Sequence, residues 1–130
     1  MLQDDYCFAC GKDNPIGLHL KFKFEGDKYF TKKIVPQEYQ SYKGVVHGGI
    51  ITTMLDEAMG SYVIDKYGIQ PVTGTLTIRY KYPTPTEQEL TIEAWQKSQR
   101  HNTFEMCSAI STIDGVVTAE ATAMMVVVTK

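Results

Sequence analysis

The sequence has no apolar run approaching the roughly 20 residues that a membrane-spanning helix needs, so none is expected. It also has no excess of either charge. With 13 Lys and Arg against 15 Asp and Glu and a pI near 5.9, it lacks the basic footprint of a nucleic-acid binder, and any phosphate recognition must be local. Met1 to Asp5 contain neither a basic segment nor an apolar signal stretch, so the expected compartment is the cytoplasm, where the three cysteines stay reduced. Cysteine is too scarce for a disulfide framework or a four-thiolate zinc site. Cys7 and Cys10 have the spacing of half such a site, but no second pair follows, and His19 or Cys107 would have to be borrowed. No metal is therefore expected, and the pair reads as a small-residue turn packed on the sheet. Repeats, low-complexity tracts and linkers are absent. The 130 residues, 43% of them hydrophobic, make one domain over 1–130 with a turn-rich cap at 1–17.

What is present is one long helical pattern among strands. From Ile50 to about Asp65 the apolar residues Ile51, Met54, Leu55, Ala58 and Tyr62 recur at three- and four-residue intervals, and Tyr67-Gly68 supplies a stop. Before it, Leu18, Leu20, Phe22 and Phe24 alternate with His19, Lys21, Lys23 and Glu25, which predicts a half-buried strand. Gly26-Asp27 then turns the chain into a return strand from Tyr29 to Val35. After the helix, Val72, Gly74, Leu76, Ile78, Tyr80 and Tyr82 form the strictest period-two pattern, closed by Pro83-Thr84-Pro85. Leu90 to Ser98, Thr103 to Ile113 and Val116 to Val128 complete the set, the last two joined through Asp114-Gly115. Met124 to Val128 is apolar on both faces, which asks for the helix on one side and a partner subunit on the other. The order β-β-α-β-β-β-β predicts an α+β fold: an antiparallel sheet of about six strands curled round one helix.

The chemistry concentrates between Gly44 and Gly60. Gly48 and Gly49 sit at the helix start, where unpaired amides and the helix dipole suit a developing oxyanion; the same pair also permits a tight loop-to-helix turn. His47 reads as a loop-orienting residue before it reads as a general base, since no Ser or Cys lies beside it as nucleophile. Asp56 and Glu57 fall at opposite edges of the polar arc, so a helical wheel does not choose between them. Spacing adds a constraint. Asp56 lies eight residues after Gly48, about 12 Å along the axis, too far for both to act on one carbonyl. If both act, two subunits each contribute one, as in a two-fold dimer with antiparallel central helices.

These residues resemble those of a hot-dog fold thioesterase, specifically the PaaI-like acyl-CoA thioesterase family. The resemblance rests on His47-Gly48-Gly49, six residues and Asp56, then a strand running into Pro83. The Cys7-Phe8-Ala9-Cys10-Gly11 and Asn14-Pro15-Ile16-Gly17-Leu18 segments are similar to one bacterial branch. It implies an acyl-CoA thioesterase, acting on an acyl- or aryl-acyl-CoA without metal or organic cofactor, as a homodimer or dimer of dimers with the site at the subunit interface. The Gly48 amide would polarise the thioester carbonyl, Asp56 of the partner would activate water or attack directly, Thr73 would position the water, and His47 would orient the loop. Gly49 and Glu57 would border the substrate. Six residues before His47, where some members carry asparagine, this chain has Ser41 preceded by Gln40. Arg79 and Lys81, with Lys97 and Arg100, are candidates for the coenzyme A phosphates, against the plainer reading of solvated strand charges. Two other outcomes share the fold: an acyl-CoA-binding protein without turnover, and an enoyl-CoA hydratase.

Overall fold

The apolar spacing folds as helix α1, Gly48–Tyr67, in a computed structural model that describes residues 4–128. Residues 1–3 and 129–130, including the start of the cap, lie outside the described residues. His47 is the N-cap, its ring accepting from the Gly49 N–H, and Gly68 ends the helix in the left-handed region at φ 69°, as the Tyr67-Gly68 stop predicts. Met54, Leu55, Ala58, Met59 and Val63 are fully buried, so the helix is a core element.

Six strands wrap it: β1 Lys23–Glu25, β2 Lys28–Ile34, β3 Pro71–Tyr80, β4 Glu89–Arg100, β5 Thr103–Thr112 and β6 Val117–Val127. They form one antiparallel sheet in the order β1-β2-β4-β5-β6-β3. The predicted element order holds, with α1 packed against β3, β4, β5 and β6. Only Lys23–Glu25 of the predicted first strand joins the ladder. Leu18 and Leu20 are buried and His19 and Lys21 exposed, as the alternation requires, but the Leu18 and Leu20 N–H groups donate to Phe8 and Ala9 of the cap. His19, at φ 55°, breaks the extended run.

The predicted alternation after the helix also fails at one place. The register of β3 against β6 slips between Thr73 and Thr75, a bulge around Gly74, so Thr73 rather than Gly74 falls in phase with Leu76 and Ile78. Glycine suits the site, because a Cβ would lie 3.2 Å from Val126 Cγ2 and 3.3 Å from the Met124 carbonyl. In β6, Ala119, Ala121, Ala123 and Met125 are buried toward α1. The second apolar face stays open in the single chain, with Met124 39% and Val128 68% exposed.

The loop between a 3₁₀ turn at Gln37–Tyr39 and α1 is clamped from both sides. The Val46 N–H donates to Thr84 at 2.8 Å, the Thr86 N–H to Gly44 at 3.0 Å, and the His47 N–H to Tyr39 at 2.9 Å. Buried Thr84 donates its hydroxyl to Thr118 of β6 at 2.7 Å. Pro83-Thr84-Pro85 thus does more than close a strand; it seats the start of α1.

Gly68→Ala tests the helix stop. With open space around a Cβ there, the cost is the backbone's alone, about 1 kcal/mol, and should appear as a lower urea midpoint at unchanged slope.

Candidate active site

Two polar clusters lie on α1, and its rigidity sets their separation. At the N-terminus, His47 Nδ1 accepts from the Gly49 N–H at 2.9 Å, so the neutral ring carries its proton on Nε2. This matches the loop-orienting reading of His47. It also gives Gly49 a reason to be glycine, since a Cβ would press to 3.2 Å from Nδ1. Gly48 has no such reason. A Cβ there would make ordinary contact with the Tyr80 ring at 3.6–3.7 Å, and the Gly48 N–H has no partner among the described residues. The first amide of a 20-residue helix is therefore left open beside a groove of about 380 Å³ lined by Ser41, Tyr42, Ile51, Tyr80, Lys81 and Tyr82.

Tyr80 and Thr52 were not singled out by sequence reasoning, yet they form this end of the site. The Tyr80 hydroxyl lies 2.6 Å from Thr52 Oγ1 and donates to the Gly48 carbonyl at 3.2 Å, while Thr52 Oγ1 bonds the same carbonyl at 2.9 Å. The inward phase of Tyr80 on β3 was the available signal; nothing in the sequence marked Thr52.

The second cluster lies two turns along. Thr73 Oγ1 donates to Asp56 Oδ1 at 2.7 Å within the same chain. The Gly74 bulge makes the contact possible, because an unbroken alternation would turn Thr73 away from the helix. Glu57 goes elsewhere: Ser61 donates to its Oε2 at 2.8 Å, and it faces Cys7 and Cys10 of the cap. The two adjacent carboxylates thus separate onto different surroundings, which the wheel left undecided. Asp56 lies with Thr73, Glu57 with the cysteines.

Of the remaining candidates, Gln40 accepts from the Gly44 N–H at 3.1 Å and borders a second hollow of about 260 Å³ with His47 and Gly49. The Ser41 N–H donates to Val45 at 2.8 Å, and Ser41 borders the Gly48 groove together with Lys81. Arg79 is not brought to this groove; it pairs across the ladder with Glu120 in a hollow that also contains Trp95. Lys97 pairs with Glu105 at 3.7 Å, and Arg100 lies at the far end of the β4–β5 hairpin.

Burial dominates the perturbed groups nearby. It pushes the Cys10 thiol up, with the Glu57 carboxylate adding to the effect, and it raises Cys107 on β5. Tyr29 is raised by burial and by donating to Asp65 at 2.5 Å.

One long helix gripped by a six-stranded antiparallel sheet, with a bare amide at the helix start and a threonine-paired aspartate on its flank, defines a hot-dog fold protein. Residues 43–119 match the Thioesterase superfamily, and the chain belongs to that family. Among solved structures it is similar to a thioesterase superfamily protein at 24% identity and TM-score 0.86, covering 94% of this chain. The chain spans 60% of the length of that protein. It is also similar to a hypothetical thioesterase protein from Streptococcus pneumoniae TIGR4 with coenzyme A, at 24% identity and TM-score 0.75, over 85% of this chain and 86% of the other. A phenylacetic acid degradation-related protein from Ralstonia eutropha JMP134 aligns over the same shares at 21% identity and TM-score 0.75. No curated protein gives a significant match.

The capping role of His47 is measurable. His47→Ala should lower stability by about 1 kcal/mol in urea unfolding, while His47→Asn, which keeps a side-chain acceptor, should stay within about 0.5 kcal/mol of the parent.

Proposed function

We propose that this chain is a PaaI-like acyl-CoA thioesterase, hydrolysing an acyl- or aryl-acyl-CoA to the free acid and coenzyme A. The observation that carries the reading is the Asp56–Thr73 pair at 2.7 Å, set two turns from an open helix N-terminal amide. Both halves suit acyl transfer. The Gly48 N–H points where a carbonyl oxygen gains charge, and Asp56 keeps its second oxygen for a proton while the Thr73 hydroxyl holds the first. In hydrolysis, water adds to the thioester carbon as its proton passes to Asp56. The oxyanion rests on the Gly48 amide. Collapse then breaks the C–S bond, and the departing sulfur takes up the proton. Direct attack by Asp56, giving an acyl-enzyme anhydride that water cleaves, uses the same groups. No organic cofactor is required, because coenzyme A arrives as part of the substrate.

The separation of about 12 Å between Gly48 and Asp56 along α1 supports a reading in which each site is shared by two chains. β3 supports this, being a ten-residue strand at the sheet edge with no strand paired on its outer side among the described residues. Pairing that edge antiparallel with a second copy sets the two helices antiparallel, so Asp56 and its Thr73 come from one protomer and Gly48 with His47 from the other. Lys81, at the Gly48 groove, is the better placed candidate for a phosphate; Arg79 would reach one only across the subunit edge. The pneumococcal protein solved with coenzyme A has also been crystallised as an aspartate-to-alanine and as a threonine-to-alanine variant, the residue types paired here. No described helix is long and apolar enough to cross a membrane.

A panel of acyl- and aryl-acyl-CoAs, read by release of free thiol, tests the activity. Asp56→Ala should lose about 10²-fold or more in kcat, and Thr73→Ala about tenfold. Unchanged Asp56→Ala turnover removes the mechanism; tight acyl-CoA binding without turnover selects the carrier, and hydration of an enoyl-CoA the hydratase. Light scattering tests the assembly. The active species should be a dimer or larger, and a monomer that still hydrolyses thioesters overturns the shared site.

A further inference from the structure

The cap holds a cluster that the hydrolytic reading leaves unused. Cys7 Sγ, Cys10 Sγ and a Glu57 carboxylate oxygen all lie within 4.8 Å of one another, and all three residues are half-buried. We propose that they form a binding site for a thiophilic divalent cation of the zinc type, which staples the N-terminal cap to α1.

The donor set fits such an ion. Zinc takes thiolate at about 2.3 Å and carboxylate at about 2.0–2.2 Å, which in a tetrahedron places neighbouring donor atoms roughly 3.5–3.8 Å apart. A spacing of up to 4.8 Å asks for a contraction of up to about 1.3 Å as the donors close on the ion. Two sulfurs and one carboxylate oxygen fill three positions and leave the fourth to water. Neither residue that sequence reasoning would have borrowed takes part. His19 Nε2 is engaged with the Asn14 carbonyl at 2.7 Å, and Cys107 lies on β5 in the hollow that holds Arg79 and Trp95. Glu57 is the donor that only folding brings to the pair.

The surroundings hold the donors in place. The Gly11 N–H donates to the Cys7 carbonyl at 2.8 Å, closing the turn that carries both thiols. A Cβ on Gly11 would lie 2.4 Å from the Asp5 carbonyl oxygen and the Cys7 nitrogen, so only glycine closes it. Main-chain bonds from Leu18 to Phe8 and from Leu20 to Ala9 tie this turn to the chain that leads into β1. On the helix side, Ser61 donates to Glu57 Oε2 at 2.8 Å, the outer-sphere support that orients a ligating carboxylate. A redox pair would use the same two cysteines. The Glu57 carboxylate beside them adds a third, anionic donor, which a disulfide does not need and a cation does.

Binding requires both thiols to deprotonate, so two protons leave as the ion enters. The site is separate from the Asp56–Thr73 pair, and its test does not depend on thioesterase activity. Reduced, metal-free full-length protein is titrated with Co²⁺ and then Zn²⁺. One Co²⁺ per chain should bind with a near-ultraviolet thiolate-to-cobalt absorption that Zn²⁺ abolishes, and Tm should rise with free metal. Cys7→Ser and Cys10→Ser should each lose the band. Glu57→Gln, a milder change, should keep the fold and weaken Co²⁺ binding about tenfold or more. A reduced parent protein that shows neither band nor rise in Tm overturns the proposal, as does a Glu57→Gln variant with unchanged affinity. Quantitative formation of a Cys7–Cys10 disulfide in air together with no metal uptake overturns it in favour of a redox pair.

Discussion

The fixed rise of α1 is the constraint on which everything else depends. In a 20-residue helix with one face buried from Ile51 to Val63, the eight residues between Gly48 and Asp56 become a distance of about 12 Å. The sheet answers that rigidity. Strands β4, β5 and β6 turn buried alanines and methionines toward the helix, and small side chains at Ala119, Ala121 and Ala123 of β6 allow α1 to lie close. Once the helix is seated, the positions of its open amide and its flank carboxylate follow without further adjustment.

Two devices in the sheet then shape the site. The clamp from Thr84 and Thr86 onto Val46 and Gly44 fixes where the helix begins, and with it the direction of the Gly48 N–H. The Gly74 bulge shifts the register of β3 against β6 by one, so that Pro71 to Thr73 take the opposite phase from an unbroken alternation, and it brings a hydroxyl to Asp56. Without the bulge Thr73 would be a surface threonine and Asp56 a solvated helix residue. The ladder with β6 is paired on both sides of the bulge, from Pro71 to Thr73 and from Thr75 to Tyr80, in registers that differ by one residue.

Periodicity carried the fold. The three- and four-residue spacing of Ile51, Met54, Leu55 and Ala58 located the helix, and alternation located five of the six strands within a few residues. The first strand was overdrawn because Leu18 and Leu20 alternate correctly yet bond to the cap, a partner that burial pattern does not report. The site was less legible for the same kind of reason. A bulge leaves no mark in composition beyond one glycine in a strand, so Thr73 entered only through its family resemblance. Tyr80 was visible as an alternating aromatic, but its hydroxyl contacts with Thr52 and Gly48 depend on where the end of β3 passes the start of α1.

The sharpest case is the neighbouring pair Asp56 and Glu57. Successive residues on a helix point about 100° apart, so adjacency in sequence guarantees divergence in space. One carboxylate meets the sheet edge at Thr73, the other the cysteine turn of the cap. Neither can take over the other's surroundings without rotating the whole helix, which the buried face from Met54 to Val63 forbids. The same helix rotation therefore sets Glu57 against the cap and Asp56 against Thr73. The N-terminal cap, which the sequence presents as a run of turns, is thereby linked to the Asp56 carboxylate across a single peptide bond of the helix.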